Sequence, residues 1–516
     1  MTGKKAVNLM MTELTQGVVR NEISHCRYRC SLLALAGLML LSTACVVGPK
    51  YQRPSAPVPA AYKEQPPGGA QSKAWKEAQP KEAAQRGKWW EIFGDPQLNA
   101  LEEQVSISNQ NVLLAEAQFR QARDAVRIAR ASLFPTATAG LSYTNSETSS
   151  TLFNFKAGNL TSGQRNVYNL PVDVSYQADV WGSIRHTVRG SAESAQATAA
   201  QLENVRLAFQ AALAQDYFEL HGVDGEQELL ERTVKSYTEY LQLTKDRFAS
   251  GVASGVDVAQ AETQLKTAQA QLIDLGVARA QFEHAIAILV GKPPAQLTIA
   301  SAPIKSSPPA IPVGVPADLL ERRPDVAGAE RQMAVANEQI GIARAAFFPT
   351  LLLTASGGLE SGSLTDWFTW PSHFWSLGPQ VAETIFDAGR RRAQSDSARA
   401  AFDASIASYR QTVLTSFQQV EDNLAALRVL ANEAGAEDDA VQAAQRSLDL
   451  STYQYKAGVA SYLQVITTQA IALQDQVAAV NILTRRMVAS VLLIEALGGG
   501  WDASSLPTAQ SLASGR

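Results

Sequence analysis

Apolar and small side chains recur at heptad spacing over two very long stretches of the chain. In the first stretch Leu230, Val234, Tyr237, Leu241, Thr244 and Phe248 fall on one stripe, and in the second Phe402, Ile406, Tyr409, Val413, Val420, Leu424 and Leu427 do. A third run follows the second stretch: Leu463, Ile466, Ala470, Leu473, Val477, Val480, Met487, Val491 and Ile494. The spacing predicts helices from Gly182 to Ser250 and from Gly389 to Ala457, each about 67 residues and so roughly 100 Å long. Each turns back at a glycine, Gly251 or Gly458, which suits a tight turn, into a second helix. The heptads alone fit a soluble antiparallel coiled coil as well as the wall of a helical barrel.

The period changes to two in four shorter segments, residues 136–146, 166–178, 350–360 and 373–385. Each is close to the length of a tilted membrane strand, about 10 residues. A Ser/Thr/Asn/Gly-rich loop separates the first pair. The loop of the second pair holds Trp367, Phe368 and Trp370, with Phe374 and Trp375 beyond it. Aromatic residues at strand ends fit an interfacial belt. Soluble hairpins would alternate too; what favours membrane strands is that one pair feeds each long helical hairpin.

The plan is written twice, about 207 residues apart. Leu133-Phe134-Pro135-Thr136 is echoed by Phe347-Phe348-Pro349-Thr350, and Asp179-Val180-Trp181-Gly182 by Asp387-Ala388-Gly389. Arg247-Phe248-Ala249-Ser250-Gly251-Val252-Ala253-Ser254 is echoed by Gln454-Tyr455-Lys456-Ala457-Gly458-Val459-Ala460-Ser461. A unit this long is a duplicated half rather than a solenoid repeat. The expected organisation is a signal peptide at 1–44, a lipid-anchored Pro-rich tether at 45–88, and a first repeat at 89–300. A linker at 301–323, a second repeat at 324–500 and a C-terminal tail at 501–516 follow. Four strands cannot close a membrane barrel, and an open edge is not tolerated in lipid. Several copies are therefore needed; three would give 12 strands, and other copy numbers also close.

Composition narrows the function. A net charge of −4 leaves no electrostatic footprint for nucleic acid. Arg27 and Arg29 precede an apolar run, Ser31 to Leu41, too short to remain as a membrane helix. It ends in Leu41-Ser42-Thr43-Ala44-Cys45, which suits cleavage and lipid attachment at Cys45, although Ser42 stands where a leucine is usual. Cys26 and Cys30 leave with the leader, so no intrachain disulfide and no cysteine metal cluster is expected. His186, His221, His284 and His373 show no metal-ligand spacing and read as packing or surface residues. Gly498-Gly499-Gly500 reads as a helix C-cap. Glu321-Arg322-Arg323-Pro324-Asp325 reads as a salt-bridged helix boundary. No enzyme signature, catalytic residue, cofactor site or metal site stands out.

Several blocks resemble the outer-membrane efflux protein family, in its TolC-like, OprM/NodT-type lipoprotein branch. They are Val47-Gly48-Pro49-Lys50-Tyr51-Gln52-Arg53-Pro54, Trp89-Trp90 with Phe93-Gly94-Asp95-Pro96, and the segment from Ile311 to Val326. Ile340-Gly341-Ile342-Ala343-Arg344, Phe347-Phe348-Pro349 and Ile385-Phe386-Asp387-Ala388-Gly389-Arg390 complete the set. The resemblance implies an α+β membrane protein: a trimeric 12-stranded outer-membrane β-barrel, four strands per chain, continued by a long periplasmic α-helical barrel. It implies a homotrimer held in outer-membrane lipid, a periplasmic adaptor protein, and an inner-membrane pump of the resistance–nodulation–division type. Such a duct catalyses nothing and passes small molecules and drugs to the exterior. The lipobox, the tether and segment 311–326 favour efflux over a TolC-type duct for protein secretion. A coiled-coil lipoprotein without a pore is the third reading.

The resemblance also implies a gate at the hairpin tips, Gly251 to Asp257 and Gly458 to Thr467. Tyr455 and Asp257 match a family tyrosine and aspartate that hold the closed tip, and Leu463 matches an apolar constriction. Gln464 and Thr467 stand where relatives carry ring aspartates, and Ala460 replaces an arginine. A weaker acidic ring implies weaker cation preference.

Overall fold

The computed structural model describes residues 46–64, 88–147, 164–311 and 316–514. The expected signal peptide and Cys45 lie outside the described residues. The chain resolves into two compact units.

The first unit comprises the chain up to Gln52, Asp124–Ala192 and Ala334–Asp403. It holds β1 (Thr136–Ala139), β2 (Ser142–Glu147), β3 (Gln164–Ala178), β4 (Thr350–Ser361) and β5 (His373–Ala382) in one antiparallel sheet, with β1 and β2 on one side of β3, then β4 and β5. The segment expected as one strand at 136–146 is thus divided at Gly140 and Leu141. The cause is Pro171 opposite: it has no N–H to give, and only its carbonyl accepts, from Gly140 at 3.0 Å. Register is unbroken across the gap, since Ala139 pairs with Val172 and Ser142 with Asn169. On the other side of β3, Pro171 faces Gly358, where a Cβ would lie 2.1 Å from the Leu170 carbonyl oxygen, so only glycine fits.

Paired residues share a face, and the faces differ. Leu170, Val172, Val174 and Tyr176 line up with Leu359, Gly357, Ala355 and Leu353, and these with His373, Trp375, Leu377 and Pro379. The opposite face carries Asn169, Pro171, Asp173, Ser175 and Gln177 against Glu360, Gly358, Ser356, Thr354 and Leu352, then Phe374, Ser376, Gly378 and Gln380. One face is apolar and the other largely polar. Tyr143, Tyr168, Trp367 and Phe368 form a chain of ring contacts with centroids 4.9, 5.5 and 4.9 Å apart at the loop end. At the other end Trp181 stacks on Phe348 at 4.6 Å and donates from Nε1 to the Pro349 carbonyl at 2.8 Å.

The second unit comprises Arg53–Arg123, Glu193–Met333 and Ala404–Arg516. It begins with α1 (Pro96–Ser108) and α2 (Gln110–Ala131), whose end lies in the first unit. Asn109 divides the two helices. Its Oδ1 accepts from the N–H groups of Asn111 and Val112, and its Nδ2 donates to Leu289 O at 2.8 Å.

The long helices are α3 (Ser183–Ala249) and α7 (Arg390–Lys456), 67 residues each; their return helices are α4 (Gly255–Leu289) and α8 (Tyr462–Ala496), 35 each. Between the hairpins lie α5 (Leu319–Arg322) and α6 (Pro324–Ala345), and α9 (Ala509–Ser514) closes the chain. Both long helices begin at an aspartate. Asp179 accepts from the N–H groups of Ile184 and Arg185, and Asp387 from those of Gly389 and Arg391. Each aspartate also pairs with the arginine, at 3.0 and 2.8 Å.

The Arg323 boundary is salt-bridged as its sequence suggested. Arg323 pairs with Asp325 at 2.6 Å just before α6, and its Nη1 donates to Ala496 O, capping α8. Gly498 follows with φ 92°. The stripes of α3 and α7 are buried at Tyr237, Leu241, Tyr409, Val413, Val420 and Leu424. Near its start α8 differs. The expected stripe ran through Leu463, Ile466 and Ala470, whereas the buried positions are Tyr462, Val465, Gln469 and Ala472. The helix has two apolar faces, and the chain itself covers only one.

Candidate functional site at the hairpin tips

Each tip is a turn forced by glycine. Gly251 has φ 75° and Gly458 φ 78°, a region open to glycine at no steric cost. Gly251 N–H donates to Phe248 O at 2.9 Å, and Gly458 N–H to Tyr455 O at 3.0 Å. The return helices start differently. Ser254 caps α4 in a reciprocal box: its Oγ accepts from Asp257 N–H, and Asp257 Oδ2 accepts from Ser254 N–H at 2.8 Å and from its Oγ at 2.9 Å. Ser461 caps α8 without a side-chain bond.

The two tips are held by a buried aromatic cluster. Tyr455 and Tyr462 are 3% and 2% exposed, with ring centroids 5.3 Å apart, and pack with Tyr237, Leu241, Ala261, Leu265 and Val465. Hydroxyl contacts cross from α3 to α7 in both directions: Tyr240 meets Thr452 at 3.0 Å, and Tyr455 meets Thr244 at 3.4 Å. Arg247 lies over the Tyr455 ring at 4.7 Å, and its Nη1 donates to the carbonyls of Tyr455 and Lys456 at the end of α7. Burial, with the neighbouring Tyr455, Tyr237, Tyr240 and Asp257, raises the Tyr462 phenol well above its ordinary range, so it stays neutral.

The expected residues therefore fall into three places. Tyr455 is in the core of the cluster. The Asp257 carboxylate is taken up by its own turn, and no Tyr455–Asp257 hydrogen bond is formed among the described residues. Leu463 is 58% exposed on the first turn of α8, and Gln464 and Thr467 are exposed beside it; Thr467 Oγ1 donates to Leu463 O at 2.9 Å. Sequence reasoning missed Arg247, Tyr462 and Thr244 as site residues. The signal for Arg247 was an asymmetry of the repeat, because the echoed position is Gln454.

Among the described residues no histidine belongs to a group of three or more His, Cys, Asp or Glu side chains. His186 is buried, with Nδ1 2.6 Å from Glu338 Oε2 and Nε2 3.2 Å from Val47 O. His221 is buried against Asp224 at 3.0 Å.

Residues 101–292 and 315–499 match the family described as outer membrane efflux protein. A probable efflux pump outer membrane protein, TtgC of Pseudomonas putida, is 32% identical over 473 residues, covering 91% of this chain and 96% of that one. The pyoverdine export outer membrane protein OpmQ of Pseudomonas aeruginosa is 32% identical over 420 residues, 80% of this chain and 88% of that one. Among solved structures, the outer-membrane channel OprN superposes with a TM-score of 0.79 at 26% identity, over 89% of this chain and all of that one.

Proposed function

The chain belongs to the outer membrane efflux protein family, and from that premise we propose how this outer-membrane efflux channel is assembled and gated. The observation that carries the reading is the sheet. One face is apolar, the other largely polar, and among the described residues both outer strands, β1/β2 and β5, have an unpaired edge. Such a sheet is stable in a bilayer only when its edges are closed by further copies. Three copies place twelve strands in the outer membrane, with the apolar face on lipid and the polar face lining a water-filled lumen. The two helices of about 100 Å per chain then extend the duct into the periplasm.

The duct is passive. A periplasmic adaptor and an inner-membrane pump of the resistance–nodulation–division type deliver the cargo, small molecules in this reading, and no bond chemistry takes place in the channel. Cys45 carries the lipid anchor. The residues that follow it are seated where β3 passes into α3: Val47 N–H donates to Trp181 O at 3.1 Å, and Asn337 Nδ2 to Pro49 O at 3.2 Å.

The gate is the ring of hairpin tips. Leu463, exposed within one chain, meets its copies on the axis as an apolar constriction. Tyr455 keeps α3 and α7 together, Asp257 fixes the first turn, and the uncharged Gln464 and Thr467 leave closure to packing. Native mass spectrometry of detergent-solubilised protein tests the copy number, with three expected. Planar-bilayer conductance tests the duct, and copurification with the adaptor and pump tests the assembly. A stable monomer with the same strand content would remove the basis of the reading.

A further inference from the structure

The duplication fixes more than the existence of a seam between copies. It fixes which residues face each other there. Phe134-Pro135-Thr136 and Phe348-Pro349-Thr350 make β4 the copy of β1/β2. Thr136 lies opposite Ser175, and Thr350 lies opposite Ala382, so β5 is the copy of β3 with Ala382 standing for Ser175. The pairing of β3 with β4 inside the chain therefore has a counterpart, β5 with β1/β2 of the next copy. Ser175 opposite Thr354 becomes Ala382 opposite Gly140. Asp173 opposite Ser356 becomes Gln380 opposite Ser142, and Val174 opposite Ala355 becomes Val381 opposite Leu141.

We propose that copies join in this register, Gln380 of one chain facing Ser142 of the next. The proposal rests on the multi-chain barrel read above and adds the residue pairs. Three observations support it. Among the described residues both edges are open, and Leu141 and Val381 are 73% and 71% exposed. The register puts Leu141, Tyr143 and Val381, Pro379 on the apolar face and Ser142, Thr144 and Gln380, Gly378 on the polar face. A slip of one residue would turn every apolar side chain to the lumen. Finally, Gly140 N–H is spent on Pro171, so the alternation of an antiparallel ladder turns the backbone of Leu141 and Tyr143 outward to the seam. Opposite Tyr143 stands Pro379, which has no N–H, so at this pair the seam carries only the bond from the Tyr143 N–H to the Pro379 carbonyl.

By the same alternation Gln380 and Ser142 form a non-hydrogen-bonded pair, with Cα atoms about 4.5 Å apart. That is within reach of a disulfide, whereas the diagonal neighbours lie about 7–8 Å apart. The test is oxidative cross-linking of the trimer in outer-membrane preparations. Gln380→Cys combined with Ser142→Cys should give covalent dimers and trimers on denaturing gels, at least ten times more than Gln380→Cys with Thr144→Cys or with Gly140→Cys. Single variants, which retain Cys45, set the background. Trimer content before oxidation is read separately by native mass spectrometry. Trimers that cross-link best through Thr144 or Gly140 overturn the register and leave the assembly standing. Trimers that cross-link through no pair overturn the seam itself. Absence of trimers from the unmodified protein overturns the assembly on which the proposal rests.

Discussion

The guanidinium of Arg247 lies 4.7 Å from the ring centroid of Tyr455 and donates to the Tyr455 carbonyl at 3.1 Å. One side chain of the first hairpin thus stacks on the second and caps its long helix. Stacking of this kind contributes about 0.5–2 kcal/mol, and a hydrogen bond from a charged group about 1.5–3 kcal/mol. Arg247→Ala should loosen the paired tips and raise the open fraction of a poised gate about tenfold, read as bilayer conductance. Arg247→Lys keeps the charge and loses the planar fork, so it should fall between the two. Wild-type conductance in Arg247→Ala, with trimers intact, would assign Arg247 to tip stability alone.

How much of this was legible in the sequence depends on which partner each residue has. The boundaries of α3 and α7 were, because Gly182, Gly251, Gly389 and Gly458 bracket uninterrupted heptads and all four take positive φ. The strand pairs were, because the period of two stands beside one of seven. The division of the first strand was not: its cause, Pro171, is a residue of the facing strand. The break at Asn109 is not legible in the sequence for a similar reason, since the residue that secures it, Leu289, is remote in sequence. At the tips, periodicity alone could not choose between the two apolar faces of α8, so Leu463 was placed on the stripe that the chain leaves open. The Tyr455–Asp257 pairing came from resemblance, and Ser254, three residues before Asp257, supplies a nearer partner.

Asp224 predicts an acid limb of stability. Burial works to raise its carboxyl, but hydrogen bonds from His221, the Ala302 N–H, Arg279 and Ser301 outweigh it and lower it to about 2. A carboxyl lowered by folding stabilises the fold above the ordinary aspartate value of about 3.9, and that stability is lost as pH falls toward about 2. The loss should amount to about 2 kcal/mol across that window. Acid unfolding followed by circular dichroism should show this slope in the wild type and a shallower one in Asp224→Asn. Equal slopes would place the acid-sensitive group elsewhere.

Glu102 predicts the opposite dependence. It is fully buried in α1, neither carboxylate oxygen has a hydrogen-bond partner among the described residues, and burial raises its carboxyl well above the usual range. The folded chain then holds a proton that the unfolded chain releases above about 4.3, so this residue costs more stability as pH rises. Glu102→Met keeps the length and removes the buried acid. It should raise thermal stability by about 1–3 kcal/mol, more at pH near 8 than near 5. Melting curves at the two pH values check this; an equal shift at both would mean the acid is ionised or paired in the native assembly.

Leu463 and Thr467 separate closure from selectivity. Leu463 is an exposed leucine on the first turn of α8, one turn before Thr467, whose hydroxyl is spent on the Leu463 carbonyl. If three leucines meet on the axis, the constriction is dry, and a hydroxyl in their place admits water. Leu463→Ser should therefore raise conductance at neutral pH by several-fold or more without altering trimer content. Thr467→Asp adds a carboxylate per chain one turn away and leaves the leucine ring in place. It should increase cation selectivity, measured as reversal potential under a salt gradient, with little change in the closed-state conductance. The effect should weaken in high salt, since the Debye length falls to about 3 Å at 1 M. A selectivity change in Leu463→Ser equal to that in Thr467→Asp would place both residues in one charge-controlled filter. Wild-type conductance in Leu463→Ser would move the constriction away from α8.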